Sequence, residues 1–165
     1  MAPNLFIWTL SRAIHILAVA FWLGGSIFLA IALLPALRKS LDPDRRVLLI
    51  AQVGRRFSRI TWLLMGALAA TGWVNLWSMG FRPEDFATSR GVILLVKLIL
   101  FALILTLSAV HDFRLGPNLE RLASAGRTTT TEYLRARQLS IWLARLNVLL
   151  GVAVVVLILI FRISS

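Results

Sequence analysis

Residues 13–37 read AIHILAVAFWLGGSIFLAIALLPAL, an apolar run that contains a single ionisable residue, His15. About 20 predominantly apolar residues suffice for a helix to cross the hydrocarbon core of a bilayer. Three further apolar runs follow at residues 60–77, 91–110 and 146–161. The sequence therefore predicts an all-α integral membrane protein whose four spanning helices form one bundle.

The overall composition agrees with a membrane protein. The chain has 165 residues, of which 59% are hydrophobic, against about half in a soluble domain. The length of the first run and its His15 argue against a cleaved signal peptide. We expect one membrane domain over residues 1–165, with a helix start at Asp42-Pro43 leading into the second span. The expected spans are about 5–37, 57–79, 91–112 and 141–162, and the expected loops are 38–56 and 113–140.

The charge is strongly positive, at +11, and it is distributed unequally across the membrane. Five Lys and Arg residues lie on the side of the N terminus, and thirteen lie on the other, which we call the basic side. The positive-inside rule makes the basic side cytoplasmic and turns both termini outward, to the periplasm in a bacterial inner (plasma) membrane. These residues are expected to contact the lipid bilayer rather than nucleic acid. The thirteen are Arg38, Lys39, Arg45, Arg46, Arg55, Arg56, Arg59, Arg114, Arg121, Arg127, Arg135, Arg137 and Arg145.

Two ionisable residues lie at matching depths inside the spans. At the helical rise, His15 is about 7 Å from Ala20, which we take as the middle of the first span. Lys97 is about 6 Å from the corresponding midpoint, Phe101, on the same side. Ionisable groups at such depth are costly and commonly mark functional sites. The predicted cluster on the N-terminal side consists of His15, Lys97, Asn75 and Arg12.

Structural alternatives exist for both members of this pair. A neutral His15 could be held by hydrogen bonds alone, with Ser11 one turn away. Lys97 could extend its ammonium toward the N-terminal side, since it is six residues past Gly91. The shared depth favours a functional interpretation of both residues.

The second histidine, His111, lies near the opposite boundary. Its expected separation from His15 along the membrane normal is about 22 Å. His–metal bonds are only about 2 Å long, so the two histidines should not share one metal. Either His111 belongs to a separate metal site, or it is a boundary residue that pairs with Asp112, Arg59 or Arg145.

Several motifs resemble the copper-resistance D (CopD) type of membrane protein. They include Phe21-Trp22-Leu23-Gly24-Gly25, Thr71-Gly72-Trp73-Val74-Asn75 and Leu94-Leu95-Val96-Lys97-Leu98, and they end with His111-Asp112-Phe113-Arg114-Leu115-Gly116-Pro117. This resemblance covers about residues 10–117 and implies copper binding or transport. Cu(I) prefers thiolate and thioether ligands, and imidazole also suits copper. The chain has no cysteine, so His15 with Met79, and His111 as a second site, are the candidate ligands.

The same positions are similar to the HemJ-type membrane oxidases, which are four-helix proteins that bind b-type haem. That family has a histidine on its first helix and a lysine in a Val-Lys-Leu setting, as Val96-Lys97-Leu98 here. The chain departs from the pattern after Asn147, where the family has an acidic residue and a proline. The resemblance implies haem b with His15 as an axial ligand.

In the haem hypothesis, other residues complete the site. Arg12 pairs with a propionate, Lys97 is a second ligand, a propionate partner or a proton donor, and Trp22, Trp73 and Phe101 line the ring. The protein would then serve membrane redox chemistry with a redox partner or quinone. If it is an enzyme, it is a haem-dependent membrane oxidoreductase. A third hypothesis, a non-catalytic membrane partner subunit, predicts that His15 and Lys97 matter only for stability.

Overall fold

Helices make up the fold, and no strand occurs in the part of the chain that this computed structural model describes, residues 3–40 and 42–163. The remaining positions of the predicted domain, 1, 2, 41, 164 and 165, lie outside the described residues. Two π-helical segments and one 3-10 turn connect the helices: Leu29–Leu33, Val110–Leu115 and Pro83–Ala87. The helices are α1 (Pro3–Phe28), α2 (Leu34–Ser40), α3 (Pro43–Ser78), α4 (Ser89–Ala109), α5 (Gly116–Ser124) and α6 (Thr131–Ile163).

Four segments among the described residues are long and apolar enough to cross a membrane, which confirms the predicted all-α membrane fold. They are Leu5–Leu37, Arg45–Ser78, Ser89–Ser124 and Thr131–Ile160. Large apolar side chains cover the outside of these helices, including Phe6, Ile31 and Leu63, each more than 70% exposed. Such a surface suits lipid contact, because lipid tails are as apolar as the side chains. The side of the membrane that the termini occupy stays a prediction.

The first predicted loop, residues 38–56, is mostly helical. α2 continues to Ser40, and α3 already begins at Pro43 and runs for 36 residues. Proline suits the first helical position, where its missing N–H costs no intrahelical hydrogen bond. Asp42 occupies the N-cap position without a side-chain capping bond. The helix start predicted at Asp42-Pro43 is therefore confirmed.

The second predicted loop, residues 113–140, is also mostly helical. The chain continues from α4 through a π-helical segment into α5, and Pro117 lies in the first turn of α5, where proline is tolerated. The chain reverses only after α5, at Gly126, whose φ of 69° favours glycine. There the N–H of Arg127 donates to the carbonyl of Leu122 at 2.9 Å, a common way to end a helix.

The ends of α3, α5 and α6 pack together on the basic side. Arg55 on α3 forms an ion pair with Glu120 on α5. Leu122 on α5 and Tyr133 on α6 are buried between these segments. The expected loops are thus a helical extension of the membrane bundle.

The core lies between α1, α3 and α4, where Ala18, Trp22, Met65, Leu68 and Ile104 form one buried cluster. α1 packs mainly against α3, and α4 packs mainly against α6. α6 reaches α1 at a glycine: a Cβ at residue 151 would lie 2.9 Å from the Trp22 ring. This close approach joins the two helix pairs.

Candidate functional site

The imidazole of His15 is held by a threonine on the neighbouring helix. His15 Nδ1 on α1 lies 2.8 Å from Thr71 Oγ1 on α3. The Thr71 hydroxyl also lies 2.6 Å from the carbonyl oxygen of Ala67, to which it donates its only proton. With that proton committed, the hydroxyl oxygen accepts from Nδ1–H, and this tautomer of a neutral His15 carries its lone pair on Nε2.

This arrangement orients His15 as ligating histidines are oriented in metal sites. Such histidines donate the other ring N–H to an oxygen acceptor, which fixes the tautomer and the ring plane. The backbone carbonyl of Leu68, on the same helix as Thr71, also lies within hydrogen-bond reach of the ring. Gly72 lies next to the ring, since a Cβ there would make an ordinary van der Waals contact with His15 Cε1 at 3.9 Å.

Ser11, which was expected as a hydrogen-bond partner of His15, instead contacts the backbone of Thr71. Its hydroxyl, 5% exposed, donates to the backbone carbonyl of Thr71 at 3.2 Å. Ser11 thus secures the α1–α3 contact one turn from His15, while the threonine side chain contacts the imidazole. The sequence could not identify Thr71 because it is 56 positions from His15.

Lys97 on α4 is close enough to interact electrostatically with His15. Its side chain is partly buried, and in the described part of the chain it makes no hydrogen bond or ion pair. A positive charge near the imidazole favours an anionic neighbour and opposes a cationic one.

Of the other predicted residues, Asn75, Trp22 and Phe101 lie inside the bundle. Asn75 is one turn beyond Thr71, and its Oδ1 is buried without a donor among the described residues. Trp22 is 6% exposed in the core, and Phe101 packs against that core. An orphaned buried acceptor calls for an explanation, such as water or a ligand group.

Arg12, Trp73 and Met79 lie outside this interior. The guanidinium of Arg12 stacks over the Trp8 ring, with 4.5 Å from Cζ to the centroid. Trp73 is 75% exposed and Met79 is 71% exposed. Trp73 therefore does not line the interior, because it lies one position, or about 100°, around α3 from Gly72. Met79 lies at the C-cap of α3, about 10 Å along the axis from Gly72, so it is not a neighbour of His15.

Met65 is the thioether that the bundle does enclose, at 2% exposure. It lies in the stripe Thr61, Met65, Leu68 and Gly72 on one face of α3, deeper than His15. The regular spacing of this stripe is visible in the sequence. Packing rather than spacing distinguishes Met65 from Met79.

His111 belongs to a polar network on the basic side. Its Nδ1 lies 2.8 Å from Asp112 Oδ1, and its Nε2 lies 3.0 Å from Ser140 Oγ. Asp112 Oδ2 accepts from Ser58 Oγ at 2.6 Å and from Trp62 Nε1 at 3.1 Å. Both ring nitrogens of His111 are thus engaged, and the network ties α3 and α6 to the π-helical segment. Among the described residues, no group of three or more His, Cys, Asp or Glu could hold a metal.

The fold and its buried site define a multi-pass membrane protein with one oriented intramembrane histidine. A family model described as copper resistance protein D (CopD) matches residues 51–161. The chain belongs to this family. The match contains Met65, Thr71, Lys97 and His111, and it begins after α1, which carries His15.

One curated relative adds to this comparison. An uncharacterized protein of Aquifex aeolicus (strain VF5) is 33% identical over 106 residues, which cover 62% of this chain and 66% of the relative. The alignment thus covers just under two thirds of that relative's length. No solved structure matches the chain. The similarity to HemJ-type proteins stays a prediction.

Proposed function

We propose that this protein binds Cu(I) inside its membrane bundle and moves copper along it, with His15 as the ligand on the N-terminal side. The observation that carries the proposal is the hydrogen bond between His15 Nδ1 and Thr71, which assigns the lone pair of the neutral ring to Nε2. Membership in the copper resistance protein D family supports copper as the substrate.

The donor atoms of the chain fit Cu(I) better than Cu(II). Imidazole and thioether ligands suit Cu(I), whereas Cu(II) prefers a tetragonal set of nitrogen and oxygen ligands. The bundle offers one oriented imidazole, His15, and one buried thioether, Met65. Thr71 and Met65 are six positions apart, or about 9 Å along α3. A moving ion therefore contacts the two donors one after the other. Because the ligands are so few, the pathway has a low capacity.

Lys97 supplies the observation that favours a second candidate, b-type haem. A cation beside the single available imidazole opposes Cu(I), but it complements a propionate carboxylate. His15 would be the axial ligand, Lys97 would hold a propionate, and Trp22 and Phe101 would lie beside the ring. Haem would supply one-electron redox chemistry. The bundle interior is a usual place for such a cofactor.

One preparation tests both candidates. Detergent-purified protein is titrated with Cu(I) against a chromophoric chelator, and its optical spectrum is recorded oxidised and dithionite-reduced after expression with ample haem. Iron and copper are quantified on the same sample. We expect stoichiometric Cu(I) binding that His15→Ala removes and His111→Gln, the matched control, retains.

The alternatives give distinct results. A Soret band that His15→Ala abolishes would replace copper with haem. Copper binding that survives His15→Ala would refute the assigned ligand. Absence of both copper and haem would leave the partner-subunit hypothesis.

A further inference from the structure

A shallow, open hollow, which we call the α6 groove, lies along one face of α6 on the basic side of the membrane. Its walls are residues spaced as one helical stripe: Leu134, Arg137, Gln138, Ile141, Trp142 and Arg145. Trp142 is 58% exposed, and the guanidinium of Arg145 lies over its ring at 5.6 Å. No other helix of the described chain lines this groove.

The position of Arg145 along α6 places the groove at headgroup level. The 16 residues after Arg145, positions 146–161, carry no charge, and they extend about 24 Å as a helix. This length approaches the thickness of a hydrocarbon core, about 30 Å. Arg145 therefore marks the hydrocarbon boundary, and Trp142 occupies the interfacial layer that tryptophan prefers.

The two arginines of the groove lie on either side of Ile141 along α6. Arg137 and Arg145 lie on the same helix face about 12 Å apart. A boundary arginine extends its guanidinium outward to the polar layer, and the Arg145 guanidinium does lie over Trp142, one turn outward. Both arginines line the groove, so a phosphate group bound there has a guanidinium on either side along α6.

Charge complementarity identifies the occupant. No acidic residue lines the groove, and Glu132, the nearest acid on α6, pairs with Arg127 at 3.7 Å. A second copy of this basic face would be repelled. Guanidinium groups bind phosphate oxygens with two parallel hydrogen bonds, and Gln138 adds a neutral donor. We propose that the α6 groove binds the phosphate headgroup of one anionic glycerophospholipid.

The test compares two double variants that lose the same charge. Arg137→Gln/Arg145→Gln removes the groove arginines, whereas Arg121→Gln/Arg135→Gln removes two exposed arginines on the same side of the membrane that do not line it. Each protein is reconstituted in phosphatidylcholine with and without phosphatidylglycerol. Retained lipid is counted by native mass spectrometry after release into detergent. Thermal unfolding of each variant confirms an intact fold.

We expect the wild-type protein and the control variant to retain one phosphatidylglycerol. The groove variant should bind it about thirtyfold more weakly, from the loss of two arginine–phosphate attractions. Equal losses in both double variants would show a general charge effect and overturn the proposal. Retention of phosphatidylglycerol by the groove variant, or equal retention of phosphatidylcholine by the wild type, would overturn it as well.

Discussion

His15 and Thr71 form a hydrogen bond of 2.8 Å between α1 and α3, and the threonine proton is committed to the Ala67 carbonyl. The bond therefore runs from Nδ1–H to the hydroxyl oxygen and leaves the lone pair of the neutral ring on Nε2. This hydrogen bond orients the intramembrane histidine so that Nε2 can bind a metal ion.

Thr71→Val keeps the side-chain shape and removes the acceptor for His15 Nδ1–H. Cu(I) affinity should fall about 10–100-fold, which is the usual effect of losing the hydrogen bond that orients a ligating histidine. The matched control is Thr106→Val, because Thr106 makes the same hydrogen bond to its own helix, at 2.9 Å to Ala102, without touching a histidine. Chelator competition measures both variants, and equal effects would argue against the orienting role.

The two internal methionines should differ in their importance for copper. Met65→Leu conserves volume in the core, so its stability cost should stay below about 1.5 kcal/mol, while Cu(I) transport in proteoliposomes should fall severalfold. Met79→Leu, at the exposed end of α3, should transport normally. Unchanged transport by the Met65 variant would remove this residue from the pathway.

Lys97→Met separates the copper and haem proposals by the sign of its effect. If copper is the bound ion, removal of a nearby positive charge should strengthen Cu(I) binding by about tenfold. If haem is the cofactor, loss of a propionate partner should weaken haem retention. Lys97→Arg, which keeps the charge, should resemble the wild type in either assay.

Gly151→Ala should destabilise the bundle by about 1–3 kcal/mol, the usual cost of overpacking. The added Cβ would lie 2.9 Å from the Trp22 ring and 3.0 Å from Leu23. Gly66 is a helical glycine with nothing within 4 Å of an added Cβ. Gly66→Ala should therefore be neutral or stabilising by up to about 1 kcal/mol. Thermal unfolding in one detergent compares the pair.

Asp112→Asn should loosen the basic side of the bundle. The carboxylate accepts from Ser58 and Trp62 and also contacts His111, and we expect a loss of about 2–3 kcal/mol because these bonds involve a charged acceptor. Glu132→Gln is the control, since exposed pairs such as Arg127–Glu132 contribute at most about 1 kcal/mol. Hydrogen exchange at Val110–Leu115 should rise in the Asp112 variant alone.

The sequence was informative about the spans and incomplete about what lies between them. The apolar run at residues 13–37 identified the first span, because a helix that crosses a bilayer needs only length and hydrophobicity. The segments at residues 38–56 and 113–140 are polar enough to suggest loops, yet α3, α5 and α6 occupy most of them. Burial of Leu122 and the pairing of Arg55 with Glu120 stabilise these helical extensions, and such contacts cannot be read from local composition.

The candidate site was likewise predicted only in part from the sequence. The positions of His15 and Lys97 along their spans predict the same depth in the membrane. In the structure the two side chains interact electrostatically. Depth alone could not tell which way Trp73 faces. That depends on the rotation of α3 about its axis, and a step of one residue turns a side chain by about 100°.

By itself, the sequence determined the four apolar helices and the depth of the intramembrane His15. In hydrocarbon, a helix satisfies its own backbone hydrogen bonds, so apolar length alone dictates the element. Only the tertiary structure decided that Thr71 holds His15, that Met65 rather than Met79 is buried, and that both nitrogens of His111 are engaged. These outcomes depend on how helices rotate and pack against one another, since hydrogen-bond partners and close contacts are set to within tenths of an ångström between residues far apart in the chain.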